Sequence, residues 1–174
     1  MKSISCWLNQ IFIKMKKFIL SLSLFLIGIV CFSQDVEKNG TIYIKHPYID
    51  VVNNTSKAYL AKDDAANMKL YADTAKWWAS GMGKAISIAD AIKQWDNDFD
   101  TYDDIKVNPV GYPDYLNYLD KDQKVVQSWW HWSGKSKKTG AIVNIDFVQF
   151  DNFNKDGKID FESSYGNFPD MSKN

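Results

Sequence analysis

The spacing of apolar positions divides the chain after residue 45 into a helical part and a strand-rich part. Apolar residues recur at helical spacing in three segments, and each segment begins with a residue suited to a helix start. Pro47 fits a first helical turn, while Asp63 and Ser87 are suitable caps. The predicted helices are 46–62, 64–70 and 87–102.

The remaining segments are rich in β-branched and aromatic residues and are separated by polar turns, which is typical of strands. One turn, NKDG, imitates a calcium loop, but Ser163 stands where calcium requires a bidentate Glu, so a tight hairpin turn is favoured. Helices followed by an antiparallel meander indicate an α+β fold with helices on one face of a curved sheet. The predicted strands are 72–80, 104–110, 112–119, 124–134, 141–153 and 158–168.

The first 33 residues have the pattern of a secretory leader. Lysines precede an apolar run from Phe18 to Val30, and small residues occupy the cleavage positions before Gln34, with Met15 as a candidate start. The run has 13 residues, fewer than the roughly 20 that span a bilayer. We therefore predict export to the periplasm or medium, with no stable membrane span after leader removal, and disfavour a lipoprotein at Cys31 or a retained signal anchor. The predicted division is leader 1–33, flexible segment 34–45, domain 46–168 and tail 169–174.

Charge and cysteine content exclude several classes of function. The chain has 21 lysines, no arginine and 21 acids; beyond the leader, 17 lysines face all 21 acids, a net charge of −4. That balance argues against a nucleic-acid partner. Both cysteines lie in the leader, and the two histidines, His46 and His131, are far apart. No disulfide, cysteine nucleophile or metal site is therefore expected, and no cofactor is implied.

Several strings, in this order and spacing, resemble the nuclear transport factor 2-like (SnoaL-like) superfamily over residues 46–166. The resemblance implies a cone-shaped α+β fold, in which three N-terminal helices pack on a strongly curved antiparallel sheet around a deep, mostly apolar pocket. Dimerisation through the sheet is common in the superfamily, so the resemblance also implies a homodimer through the sheet face. The strings are KLYADTAKWW, GKAI, WWHWSGKSKKTG, AIVNIDFVQF and FNKDGKI.

The superfamily includes ketosteroid isomerases, and the positions of this chain that match their catalytic residues do not fit that chemistry. The oxyanion-hole tyrosine falls on Thr55, the general base on Ala79 and the protonated aspartate on Gln149. Isomerisation needs a base over the substrate carbon and strong donors at the developing oxyanion, and these residues supply neither.

The same alignment with the ketosteroid isomerases shows which side chains point into the pocket, provided that the strands have no bulge. Glu162 is the candidate acid or base, because a carboxyl group facing tryptophans has its pKa raised by desolvation. The alternative is that Glu162 lies near the mouth, solvated or paired with a lysine. The predicted pocket residues are Thr55, Tyr59, Trp77, Ser128, Trp130, Trp132, Phe147, Gln149 and Asp160.

Strand residues that alternate with the pocket residues point to the outer face of the sheet, and this face is too apolar to remain exposed. It includes His131, which we expect at a surface or interface, although a strand bulge would turn it into the pocket. We predict that a sheet-to-sheet homodimer buries this face. Its other members are Trp129, Ile142, Val148, Phe150, Ile159, Phe161 and Tyr165.

Three functions remain open on the sequence. The first is an exported protein that binds a small hydrophobic or aromatic molecule without catalysis. The second is a cyclase, dehydratase or isomerase that uses Glu162 as acid or base, with Gln149 and Thr55 orienting the substrate and no cofactor. The third is a structural role in binding a partner. Nothing in the sequence names the ligand.

Overall fold

A computed structural model describes residues 39–168, and the predicted leader, residues 34–38 and the tail 169–174 lie outside them. The helices are α1 (Pro47–Ala61), α2 (Asp64–Met68) and α3 (Ile88–Thr101). The strands are β1 (Gly40–Tyr43), β2 (Tyr71–Ala79), β3 (Ile86–Ser87), β4 (Tyr102–Pro109), β5 (Asp114–Tyr118), β6 (Gln123–Ser136), β7 (Ile142–Phe153) and β8 (Ile159–Gly166).

Side-chain caps start all three helices near the predicted residues. Asp63 accepts the backbone N–H of Ala66 at 2.9 Å before α2, and Ser87 accepts the N–H of Asp90 at 3.2 Å before α3. His46 caps α1, since its Nδ1 accepts the N–H of Tyr48 at 3.2 Å. These bonds satisfy N–H groups that have no partner inside the helix, which is why the helices begin there.

The eight strands form one mixed sheet that does not close on itself. Its order is β1-β5-β6-β7-β8-β2-β3, and β4 also pairs with β6. Every pair is antiparallel except β2 with β8, which run parallel because the chain returns to the β2 edge after the meander. The α+β cone fold is as predicted, with this parallel pair as the departure from an antiparallel sheet.

One face of the sheet is covered by α1 and α3. Val52 and Ala91, both fully buried, come from these helices and pack against the inner face of the strands. Aromatic residues contribute to this core: Tyr71 is 1% exposed, and Tyr48 stacks on Phe153 with ring centroids 4.2 Å apart. The helices therefore pack on the sheet through a partly aromatic core.

The segment 34–45, predicted to be flexible, contains a strand. β1 pairs antiparallel with β5 from Gly40 opposite Tyr118 to Tyr43 opposite Tyr115. Three exposed residues, Thr41, Ile42 and Tyr43, have side chains that favour strands, and the free edge of β5 supplies their partners. The ordered domain thus begins before residue 46.

A β-bulge in β8 changes the predicted parity of that strand. Asn152 and Phe153 of β7 are adjacent, but their partners in β8 are Phe161 and Ile159, so Asp160 is the extra residue. As a result Ile159 is fully buried in the core and Asp160 is exposed, the reverse of the predicted faces. Beyond the bulge, the assumption of a regular strand holds again.

The NKDG segment forms the predicted hairpin turn between β7 and β8. The Asn154 side chain accepts the backbone N–H groups of Asp156 at 2.9 Å and Lys158 at 3.0 Å. Gly157 has φ of 74°, a conformation that glycine adopts without strain. These contacts account for the turn.

Candidate functional site

A cavity of about 610 Å³ lies between the inner face of the sheet and the helices α1 and α3. Such a volume holds a small organic molecule. Its walls are largely aromatic, and its polar groups come from helix and strand positions on facing elements. The cavity is lined by Thr55, Ser56, Tyr59, Tyr71, Trp77, Gln94, Trp95, Asn97, Asp98, Thr101, Tyr102, Val107, Trp130, Trp132, Ile145, Phe147, Gln149, Glu162, Ser164 and Phe168.

Glu162 lies in the cavity wall and is only 4% exposed. Its Oε2 accepts the hydroxyl of Tyr71 at 2.5 Å, and Trp77 is its neighbour on β2. Burial raises the pKa of Glu162 to about 7, although the Tyr71 hydrogen bond favours the ionised form. The solvated alternative is therefore not what the structure shows, and this carboxyl group can change its protonation state near neutral pH.

Asp151 lies directly across the strand pair from Glu162 and is fully buried. Both of its carboxylate oxygens accept the side-chain N–H₂ of Gln149, at 3.0 and 2.9 Å. Burial, and then the nearby charge of Glu162, raise the pKa of Asp151 well above its usual range. Two carboxyl groups this close in a dry environment resist carrying two negative charges at once.

A second set of hydrogen bonds lies on the helix side of the cavity. The hydroxyl of Tyr59 donates to Oδ2 of Asp98 at 2.9 Å and accepts the indole N–H of Trp132 at 3.0 Å. Burial raises the pKa of Asp98 to about 6, and the bond from Tyr59 opposes that shift. This network joins α1, α3 and β6, so it fixes the aromatic wall at that side.

The aromatic wall is braced by edge-to-face contacts. Trp77 and Trp95 meet with centroids 5.5 Å apart and planes at 83°, while Tyr102 and Trp132 meet at 5.1 Å and 82°. Gly134 leaves room for the second pair, because a Cβ there would lie 2.7 Å from the Trp132 ring. Such pairs restrict ring movement and keep a cavity from collapsing.

Seven of the nine predicted pocket residues line the cavity, and two do not. Ser128 is buried outside the lining, and its hydroxyl accepts the indole N–H of Trp130 at 2.8 Å. Val126, two residues earlier on the same face of β6, likewise belongs to the core and not to the cavity lining. Asp160 was expected inside, but the bulge places it in a shallow groove on the other side of the sheet. The seven are Thr55, Tyr59, Trp77, Trp130, Trp132, Phe147 and Gln149.

The positions matched to the isomerase residues carry no isomerase machinery. Thr55 donates its hydroxyl to the carbonyl of Val52 at 2.8 Å, within its own helix. Ala79 is fully buried, and Gln149 is engaged with Asp151. The base and the oxyanion donors of that chemistry are thus missing from these three positions.

His131 lies on the outer face of β6, where its Nδ1 is 2.7 Å from Oδ1 of Asp146 on β7. The registers of β6 with β7 and of β5 with β6 are regular, so no bulge turns this histidine inward. Both side chains are solvent accessible, with 36% and 81% of their areas exposed.

Three residues of the hydrogen-bond networks beside the cavity, Asp151, Tyr71 and Asp98, were not predicted from the sequence. Asp151 is two residues after Gln149 on β7, so its side chain points to the same, inner face of the sheet. Continuing the alternation by one more step would have predicted it. Tyr71 precedes the predicted strand by one residue but shares the parity of Trp77. Asp98 is three residues after Trp95 on the inner face of α3. No local signal, however, indicated that Asp151 and Glu162 would be opposite each other.

Among residues 39–168, no three metal-binding side chains lie close enough together to hold an ion. In the same part of the chain no helix combines the length and apolarity needed to cross a membrane.

No family model and no curated protein matches the chain. Solved structures do match it. An NTF2-like protein of unknown function from Exiguobacterium sp. 255-15 is 22% identical, covering 68% of this chain and 99% of that one, with a TM-score of 0.52. IdmH, a putative polyketide cyclase from Streptomyces antibioticus, is 14% identical, covering 70% and 93%, with a TM-score of 0.58. AclR, a putative hydroxylase from Streptomyces galilaeus, is 14% identical, covering 72% and 81%, at 0.56.

These likenesses show the fold. The chain has the nuclear transport factor 2-like fold, as its sequence strings indicated. Because structures with this fold include a putative cyclase and a putative hydroxylase, the fold alone assigns no reaction.

Proposed function

We propose that this protein binds a small hydrophobic or aromatic molecule in the conical cavity. The observation that carries the proposal is the cavity of about 610 Å³, whose lining includes four tryptophans among nine aromatic residues. Cavities of this size and composition are the usual sites of small-molecule binding. The braced aromatic pairs, Trp77 with Trp95 and Tyr102 with Trp132, support a preformed site.

Native mass spectrometry of the protein purified gently from its host tests the proposal. A retained ligand appears as an excess of the native mass over the denatured mass. A second assay titrates the purified protein with Nile red, a neutral dye that fluoresces in apolar surroundings. We expect saturable binding, and the absence of both a retained mass and dye binding would contradict the proposal.

Two matched variants locate the binding. Ile145→Trp fills the cavity from a lining position, whereas Asn144→Trp adds the same ring at the exposed neighbouring residue. We expect Ile145→Trp to weaken dye binding by about tenfold or more, the loss that a few contacts produce. Asn144→Trp should bind as the unsubstituted protein does. Equal behaviour of the two variants would place the dye elsewhere.

A second candidate function is an enzyme of the cyclase, dehydratase or isomerase kind, with Glu162 as acid or base. The buried Glu162, hydrogen-bonded to Tyr71 and with its pKa raised to about 7, favours it, because such a group exchanges protons readily at neutral pH. Gln149 lines the cavity beside it and could orient a substrate. Thr55 is less suited, since its hydroxyl is used within α1.

Turnover of the retained ligand distinguishes the two functions. The ligand released on denaturation is incubated with fresh protein and with Glu162→Gln, and its conversion is followed by mass spectrometry. An enzyme would convert it and lose that activity on substitution. A binding protein would return the ligand unchanged in both cases.

We further propose a homodimer through the outer face of β6, β7 and β8. Trp129, Phe150 and Phe161 are only partly buried there, and Tyr165 is 48% exposed. Burying such a surface is favourable. Sedimentation at micromolar concentration should give a dimer, and Tyr165→Glu should give a monomer. Tyr112→Glu, at an exposed position outside those strands, is the control.

We also propose that the chain is exported, because residues 1–33 have the pattern of a secretory leader. Fractionation of the host's cells, with mass determination of the mature N-terminus, tests it. We expect the chain in the periplasm or medium, beginning near Gln34. Recovery of the whole chain from the cytoplasm would contradict it.

A further inference from the structure

The carboxyl groups of the cavity have no cationic partner. Glu162 and Asp98 line the cavity, and Asp151 lies directly behind Glu162. No lysine or histidine is among the described residues that line the cavity. The ion pairs of the described chain involve none of these three acids.

Each of the three accepts a hydrogen bond from a neutral group instead. Tyr71 donates to Glu162, Gln149 to both oxygens of Asp151, and Tyr59 to Asp98. A neutral donor satisfies an oxygen lone pair but leaves the negative charge without compensation. The arrangement therefore holds three carboxyl groups in place, and no described cation balances the negative charge that they carry when ionised.

The rest of the lining is also suited to a cation. Nine of the twenty lining residues are aromatic, and aromatic rings attract ammonium groups through their electron-rich faces. The attraction is strongest where water is excluded, which is the case beside Glu162, only 4% exposed. The aromatic members are Tyr59, Tyr71, Trp77, Trp95, Tyr102, Trp130, Trp132, Phe147 and Phe168.

We propose that the ligand is an organic cation, an alkyl or aryl amine whose ammonium group lies beside Glu162 and whose apolar body contacts the tryptophans. This inference rests on the proposed binding function and names the charge of the ligand. It excludes carboxylates and phosphates, because an anion in this cavity would face Glu162 and Asp98 without a compensating cation. A neutral ligand would leave the negative charge of the carboxyl groups without a cationic partner.

Three ligands that differ in one group test the inference at pH 8: 2-phenylethylamine, 2-phenylethanol and phenylacetate. At this pH the amine is charged, because alkylammonium groups have a pKa of about 10. Titration calorimetry on the purified protein should show the amine binding at least about tenfold more tightly than the alcohol, with no binding of phenylacetate.

Glu162→Gln removes the charge but keeps an acceptor for Tyr71, and it should lower the amine affinity to near that of the alcohol. The alcohol affinity of the same variant reports whether the cavity is intact. Asp160→Asn, which removes an acid from the same strand outside the cavity, should keep the preference for the amine.

The outcomes separate the two proposals. If the alcohol or phenylacetate binds as tightly as the amine, the ligand is not a cation, although the cavity still binds small molecules. If none of the three binds while Nile red does, the cation proposal is wrong as well. If neither the three ligands nor Nile red binds, both proposals are wrong.

Discussion

The two faces of β6, β7 and β8 carry similar aromatic residues but treat charge in opposite ways. On the inner face, Glu162 and Asp151 are buried and hydrogen-bonded to neutral side chains. On the outer face, His131 and Asp146 form a direct 2.7 Å contact in solvent. Burial therefore determines how an acidic residue affects the free energy of folding. An ionised acid destabilises the fold on the inner face and has little effect on the outer face.

This contrast has a consequence for the cavity. Charged groups that lose water without gaining a partner destabilise the fold, and a bound molecule that supplies the partner would offset part of that cost. The inner face combines that cost with an aromatic cavity, whereas the exposed acid Asp146 of the outer face contacts His131 directly. Substitutions on the two faces should therefore differ in their effects.

Replacing a tryptophan on each face should give the largest difference. Trp130→Ala removes a ring that is 5% exposed and leaves the Ser128 hydroxyl without its donor, so we expect a loss of about 3–5 kcal/mol in the free energy of unfolding. Trp129→Ala, on the outer face, should cost about 1 kcal/mol or less when the two variants are compared at a protein concentration low enough for the monomer. Urea denaturation measures both, and equal losses would mean that the inner face is not the better packed one.

Removing one hydroxyl should destabilise the inner face more than the outer face. Tyr71→Phe deprives buried Glu162 of its donor, and we expect a loss of about 1.5–3 kcal/mol at pH 8. The loss should be smaller at pH 5, where Glu162 is protonated. Tyr165→Phe, with the side chain 48% exposed, is the matched control and should change little. A loss that does not depend on pH would contradict the role given to the charge of Glu162.

Stability should fall as pH rises through the range in which the inner carboxyl groups ionise. The pKa of Glu162 is raised from 4.5 to about 7 and that of Asp98 from 3.8 to about 6. The folded state thus holds protons that the unfolded state has released, and its advantage, complete below pH 4, is lost by about pH 7. Burial lowers the pKa of His46, which opposes the trend. Thermal unfolding from pH 4 to 8 measures the sum.

Glu162→Gln should remove most of that pH dependence. We expect it to stabilise the protein by about 1–3 kcal/mol at pH 8, because a buried carboxyl group no longer has to ionise or remain protonated. At pH 4 it should have little effect. Asp73→Asn, at an exposed position on β2, is the control that changes the net charge equally. Destabilisation at pH 8 would show that the negative charge contributes to the fold.

The smallest effect is expected from the exposed pair on the outer face. His131→Ala and Asp146→Asn should each change the free energy of unfolding by about 0.5 kcal/mol or less, as exposed ion pairs do. A larger loss in the dimer alone, seen as a dependence on protein concentration, would place the pair in the interface.

Most helices and strands between residues 47 and 166 could be predicted from the sequence, except the short strand β3 and the bulge in β8. Helix starts follow from His46, Asp63 and Ser87, whose side chains bond to N–H groups two or three residues away. Strand positions follow from alternation, a signal that depends on neighbours in sequence and is therefore visible in a single chain. The cone fold was instead implied by the resemblance of several strings to the nuclear transport factor 2-like superfamily.

Which acidic residues contact each other, and which face of the sheet each one occupies, depends on contacts between residues distant in sequence. The bulge at Asp160 places Ile159 and Asp160 on the faces opposite to those predicted, and neither a turn residue nor the periodicity of the sequence indicates it. The pairing of Glu162 with Tyr71 and Asp151 depends on β8 lying between β2 and β7. A charge is costly or harmless according to the water it loses, and that loss is set by residues distant in sequence.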